Sequence, residues 1–211
     1  KASLTKLDAV AKRAKQMAEQ LGVRAPGEFH PALEAMLTLG GMGPLSLHAD
    51  DIPVRALGLG SRRLVALALQ WMAVKEGAIL LVDEVEHALE PHRLRHLLRV
   101  LREAPGEGRG QVLLTTHSSV AIEELSADEL LCVRSENGIT TIKRVSSDLQ
   151  ALVRDEPEAF LARRVLVCEG KTELGLCRGL MSFWAEMHEG LPFAHTGTAL
   201  AVGQGSLSPK R

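Results

Sequence analysis

The chain contains no tyrosine, four phenylalanines and two tryptophans among its 211 residues. That leaves little material for a base-stacking nucleic-acid surface, which is built from successive aromatic rings. Its cysteines, Cys132, Cys168 and Cys177, are odd in number and nowhere form C-x-x-C. This argues against a disulfide framework and against structural zinc, and it predicts a reduced, cytoplasmic setting. No apolar run approaches the ~20 residues of a membrane-spanning helix, and no signal peptide is visible, so no membrane partner is expected. A formal net charge of −1 announces no nucleic acid, although it says nothing about a local basic face. No G-x-x-x-x-G-K-[ST] loop occurs, so the chain lacks the usual backbone cradle for nucleotide phosphates. It starts at Lys1 rather than Met, and the expectation is a piece of a longer protein.

What is present fits a soluble globular protein: 45% hydrophobic and 24% charged residues. Ala2 to Leu21 predict a helix with Leu4, Leu7, Val10, Ala14, Met17 and Leu21 on one face. His30 to Leu39 predict a second, short helix, and the stretch from Leu45 predicts a strand and a loop. Ser61 is expected to cap a helix running to about Glu76. "AILLV" (Ala78 to Val82) and "QVLLTT" (Gln111 to Thr116) read as buried parallel strands. Between them, Pro91 to Glu103 predict an amphipathic helix with Leu94, Leu97, Leu98 and Leu101 inward. A helix from about Ser119 and a hairpin turning at Asn137-Gly138 follow. "VLVC" (Val165 to Cys168) is a further strand, Thr172 to Met187 a helix, and "GTALAVGQG" a last strand with a glycine turn. Alternation of strand and helix predicts an α/β sheet. The charged stretch at Asp155 to Pro157 is the expected domain boundary, and Trp71 and Trp184 are expected in the core.

Three motifs could carry chemistry. "ALGLGSRRL" (Ala56 to Leu64) is a glycine-rich turn opening onto a helix, and helix starts attract anions. "ILLVDE" (Ile79 to Glu84) delivers two carboxylates to the C-terminal end of a strand, where open α/β sheets bind ligands. There Asp83 can hold Mg²⁺ through water, and Glu84 can orient or deprotonate an attacking water. His117 directly follows the second buried strand, the place of a γ-phosphate sensor. Each motif alone also has an ordinary reading: a capped turn, a polar strand end, an exposed histidine.

In this order the set resembles the C-terminal half of an ABC-type ATPase head. "LGLGSRRL" is similar to the signature loop, "ILLVDE" to Walker B, "HALEP" to the D-loop and "THS" to the switch histidine. The resemblance implies that Gly58, Gly60 and Ser61 meet ATP bound by the other subunit of a homodimer. It also implies that the missing Walker A lies upstream. Glu90 stands where transporter ATPases usually have Asp, and the form D-E-x-E-x-x-L-x-P is closer to SMC-like and OLD-family ATPases.

"RRVLVCEGKTE" (Arg163 to Glu173) is the remaining motif. A strand delivers Glu169, Gly170 allows a tight turn, and Glu173 follows one helical turn on, so the two carboxylates can share a divalent metal. The alternative is a surface glutamate pair at a helix start. The pattern strand-E-G-x-x-E resembles the opening of a Toprim domain, and "FLARRVLVCEGKTE" is similar to the ATPase-to-Toprim junction of the OLD (overcoming lysogenization defect) family. The later Asp-x-Asp of that family has no counterpart before Arg211.

The resemblance therefore implies an ABC-type ATPase half (residues 1–155) joined to the beginning of a Toprim, Rossmann-like domain (156–211). It implies an ATP-regulated, Mg²⁺- or Mn²⁺-dependent DNA endonuclease in the complete protein, with this chain alone inactive as an ATPase. Glu84, His117 and Glu169 would be catalytic; Asp83, Glu169 and Glu173 would hold metal. The rival is an SMC-like DNA-binding ATPase with a non-catalytic Toprim scaffold; a transporter ATPase subunit fits less well. His87, His92 and His96, and Arg93, Arg95, Arg99 and Arg102, are best read as solvated helix faces.

Overall fold

The computed structural model describes residues 2–33, 45–74, 77–103 and 110–203. Its contacts divide the chain into two compact units, Lys1–Thr116 and His117–Arg211.

In the first unit, helix α1 (Ala2–Gln20) buries Ala11, Ala14 and Ala18, positions spaced three or four apart on one face, and Leu21 is buried just past its end. Leu7 and Val10, expected on that face, are exposed at 37% and 49%. The helix stops where Gly22 takes φ +91°, a value that favours glycine. The short helix expected from His30 is instead a strand. β1 (Phe29–Leu33) pairs antiparallel with β2 (Leu45–Ala49), Phe29 opposite Ala49, and β2 pairs with β3 (Ile52–Pro53). The rest of that expected helix lies outside the described residues. The partner strand, not local propensity, decides the conformation; Pro31 is tolerated because β1 is an edge strand.

Helix α2 (Leu59–Ala73) buries Leu64, Val65, Leu67, Ala68 and Trp71. Its N-cap is Gly58, in extended conformation, with the Arg62 N–H bonded to the Gly58 carbonyl. Ser61 therefore lies inside the first turn and does not cap it. β4 (Ile79–Val82) and β5 (Gln111–Leu114) pair in parallel, joined through α3 (Pro91–Glu103), which buries Leu94, Leu97, Leu98 and Leu101 as expected. The strand pair is covered on one face only among the described residues. Leu80 and Val82 are buried, whereas Ile79, Leu81 and Leu113 are 54%, 70% and 50% exposed.

In the second unit, helix α4 (Ser119–Glu124) precedes the hairpin of β6 (Leu131–Glu136) and β7 (Ile139–Arg144). Asn137 and Gly138 both have positive φ, 52° and 78°, as a type I′ turn requires. With α5 (Gln150–Asp155), a core forms from Ile122, Ala127, Val145 and Val153, and Leu130, Leu149, Phe160 and Leu161 pack on it. Residues on both sides of Asp155–Pro157 share this core. β8 (Arg164–Cys168) pairs in parallel with β9 (Thr198–Val202). The helix expected between them is two, α6 (Lys171–Gly179) and α7 (Met181–Met187), interrupted after Gly179, a poor helix residue. Trp184 is not core: it is 36% exposed, stacked on His188 at 3.9 Å and edge-on to Phe193 at 5.5 Å.

Candidate functional site

Asp83 and Glu84 leave the C-terminal end of β4, both exposed. The strand ladder continues one step past β5: the Thr115 N–H bonds the Val82 carbonyl at 2.9 Å, and the Val85 N–H bonds the Thr115 carbonyl at 3.0 Å. This brings the Thr115 side chain between the two acidic residues. Its hydroxyl donates to Asp83 Oδ1 at 2.6 Å and accepts from the Glu84 N–H at 2.8 Å. Glu84 has φ +45°, a left-handed conformation costing roughly 1 kcal/mol for a non-glycine residue. From α2, the Arg63 guanidinium donates to the carbonyls of Asp83 and Glu84, the latter at 2.6 Å. His87 Nδ1 lies 3.7 Å from Glu84 Oε2, but both side chains are more than half exposed, so solvent screens the pair.

The glycine loop reaches the same turn. A Cβ on Gly60 would lie 2.4 Å from the Ala88 carbonyl oxygen, so only glycine lets the start of α2 rest against it. Around Gly58 there is open space within 4 Å. Ala88 itself has φ +59°. The structure thus brings Asp83, Glu84, Gly60 and the start of α2 together. His117 is exposed and opens the second unit. Arg63 and Thr115 carry the local geometry, yet sequence reasoning assigned them no role. Both lie within quoted motifs, but nothing in their spacing reveals a partner twenty or more residues away.

In the second unit, Glu169 follows β8, is exposed, and makes no hydrogen bond or ion pair among the described residues. Glu173 Oε2 accepts the Gly170 N–H at 2.9 Å, so this carboxylate caps the start of α6. Among the described residues no group of three or more His, Cys, Asp or Glu is arranged to hold a metal ion. Cys168 Sγ donates to Cys177 Sγ at 3.9 Å, and burial pushes the Cys168 thiol up from its ordinary value. His96 has a structural role: its Nε2 lies 2.7 Å from the Gln20 carbonyl, tying α3 to the end of α1.

In fold, the chain is similar to SMC head domains. One similar solved structure is described as "Structural biochemistry of ATP-driven dimerization and DNA stimulated activation of SMC ATPases"; it is 17% identical with a TM-score of 0.50, covering 72% of this chain and 91% of that one. Another is the Smc head domain with a coiled coil and joint from Pyrococcus yayanosii, 20% identical with a TM-score of 0.50, covering 73% of this chain and 30% of that one. At these identities the likeness establishes the fold. Residues 45–123, from β2 into α4, match the family model described as "AAA domain, putative AbiEii toxin, Type IV TA system". No curated protein matches the chain. No described helix is long and apolar enough to cross a membrane.

Proposed function

We propose that residues 1–155 are the C-terminal portion of an ABC/SMC-like ATPase head and that 156–211 open a Toprim-type domain. The complete protein would be an ATP-regulated, divalent-metal-dependent DNA nuclease acting as a cytoplasmic homodimer. One observation carries the ATPase reading: Thr115 holds the Asp83 carboxylate and the Glu84 backbone at one strand edge, against a glycine-led helix.

The residues fit a metal-nucleotide at that edge. Asp83 is an exposed carboxylate with one oxygen already fixed, suited to a hard cation such as Mg²⁺. Bound ATP and Mg²⁺ supply the phosphoryl electrophile. Glu84 is the water-activating base, and His117 the γ-phosphate sensor. Gly58 and Ser61 would face the nucleotide of a second subunit, as dimerisation across shared ATP sites requires. The chain carries no G-x-x-x-x-G-K-[ST] motif; the face of β4 and β5 left uncovered among the described residues supports a further layer there, because parallel sheets are covered on both faces.

The nuclease step would use Glu169 and Glu173 as metal ligands. A second reading, a DNA-binding ATPase with a Toprim scaffold, is favoured by the engagement of Glu173 as a helix cap. The test uses the complete protein: plasmid nicking with Mg²⁺ or Mn²⁺ beside phosphate release, for Glu84→Gln, Glu169→Ala and Glu173→Gln. Glu84→Gln should slow ATP turnover by about 10²–10⁴-fold with ATP still bound. Glu169→Ala should abolish nicking and spare ATPase activity. Glu173→Gln keeps an acceptor for Gly170 and should lose nicking without losing stability. Undiminished nicking by folded Glu169→Ala removes the Toprim-nuclease reading, and an ATPase-active wild type that does not nick leaves the scaffold reading.

A further inference from the structure

We infer that Arg63 is a positioning residue that couples the glycine loop at the start of α2 to the carboxylate of Glu84; this rests on the ATPase reading above. Glu84 is held at φ +45°, which its own sequence does not favour. The direction of its side chain follows from the two peptide units flanking its Cα. All polar groups of those two units are engaged. In the first unit, the Asp83 carbonyl accepts from Arg63 and the Glu84 N–H donates to Thr115 Oγ1. In the second, the Glu84 carbonyl accepts from Arg63 and also from the His87 N–H, while the Val85 N–H donates to the Thr115 carbonyl.

Two side-chain holders therefore fix the base, and they differ in kind. Thr115 extends the β5 ladder and moves with the sheet. Arg63 rides on α2, two residues past Ser61, on the helix whose first turn also touches Ala88 through Gly60. Any displacement of the loop on meeting a phosphate is transmitted by Arg63 to Asp83 and Glu84. One terminal nitrogen of Arg63 serves both carbonyls, and the planar guanidinium aims its two N–H bonds in fixed directions. An ammonium on a shorter, flexible stem does this less well.

The test is steady-state ATPase kinetics and hydrogen exchange on the complete protein. Arg63→Ala should lower kcat by about 10–100-fold with little change in KM, the scale of a misaligned catalytic group. Arg63→Lys should restore part of that loss and remain about 3–10-fold below wild type. In a Glu84→Gln background neither substitution should lower kcat further, because both act through the same group. Exchange in Arg63→Ala should quicken for the segment 82–88 and stay unchanged for the buried part of α2 around Leu64 to Trp71. Wild-type kcat in the folded Arg63→Lys and Arg63→Ala proteins overturns the inference, as does a loss that multiplies onto that of Glu84→Gln. Should Arg63→Ala not fold, Arg63→Lys decides by the same criteria. If Glu84→Gln itself turns over normally, the ATPase reading has failed; if it is slowed while the Arg63 variants keep wild-type kcat, only the role of Arg63 has.

Discussion

Replacing Gly60 with alanine sets two effects of opposite sign against each other. Within a helix, alanine is favoured over glycine by roughly 1 kcal/mol, so local propensity predicts a stabilised α2. The added Cβ, however, would sit 2.4 Å from the Ala88 carbonyl oxygen and 3.5 Å from Leu89 Cδ2. To reach ordinary contact, backbone must retreat by about 1 Å. The turn has little room to do so: Ala88 is at φ +59°, and the Leu89 N–H is bonded to the Glu86 carbonyl at 2.9 Å. Forcing extra volume into packed structure costs about 1–3 kcal/mol. The clash should win, leaving Gly60→Ala about 1–2 kcal/mol less stable. Gly58→Ala meets open space and changes only an N-cap, which should cost under about 1 kcal/mol. The assay is urea unfolding followed by fluorescence in a Trp184→Phe background, so that Trp71, buried within α2 itself, is the sole reporter. With a slope of about 2 kcal/mol per M, the midpoint of Gly60→Ala should fall by roughly 0.5–1 M. A midpoint equal to or above wild type would show that the glycine loop does not rest on the Ala88 turn.

Three further outcomes are expected. Thr115→Val should cost about 0.5–1.5 kcal/mol and slow ATP turnover in the complete protein, while Thr115→Ser preserves both; equal behaviour of the two variants would dismiss the hydroxyl bridge. Gly138→Ala, at φ +78°, should cost roughly 1 kcal/mol and speed amide exchange in the β6–β7 hairpin; unchanged exchange would contradict the turn type. In iodoacetamide labelling read by mass spectrometry, Cys177 should react before the buried Cys168, whose thiol burial pushes up; equal rates would mean that Cys168 is open to solvent.

Much of the fold was legible because its signals are local. The leucine spacing of Pro91–Glu103, the apolar run before Asp83, and Asn137-Gly138 each specify their element within a few residues, and each element formed, although the strand expected to be buried leaves Ile79 and Leu81 exposed. The order of glycine loop, strand with Asp-Glu, and strand with histidine was likewise readable along the chain. Expectations failed where a distant partner outweighed local preference. Phe29–Leu33 became a strand because Leu45–Ala49 offered a ladder of hydrogen bonds. Ser61 lost its capping role because Gly58 took the extended conformation before the helix.

By itself, then, the sequence determined the α/β pattern, the lack of a G-x-x-x-x-G-K-[ST] motif, and the identity of the carboxylates at the strand end. Tertiary structure alone decided how those carboxylates are held. Periodicity and turn chemistry act over one or two turns of chain, whereas Thr115 meets Asp83 across a parallel strand pair and Arg63 meets the Asp83 and Glu84 carbonyls from a neighbouring helix. Hydrogen bonds between residues so far apart exist only once packing has brought their elements together. The same holds for Gly60, whose missing side chain matters because of the carbonyl that folding places against it.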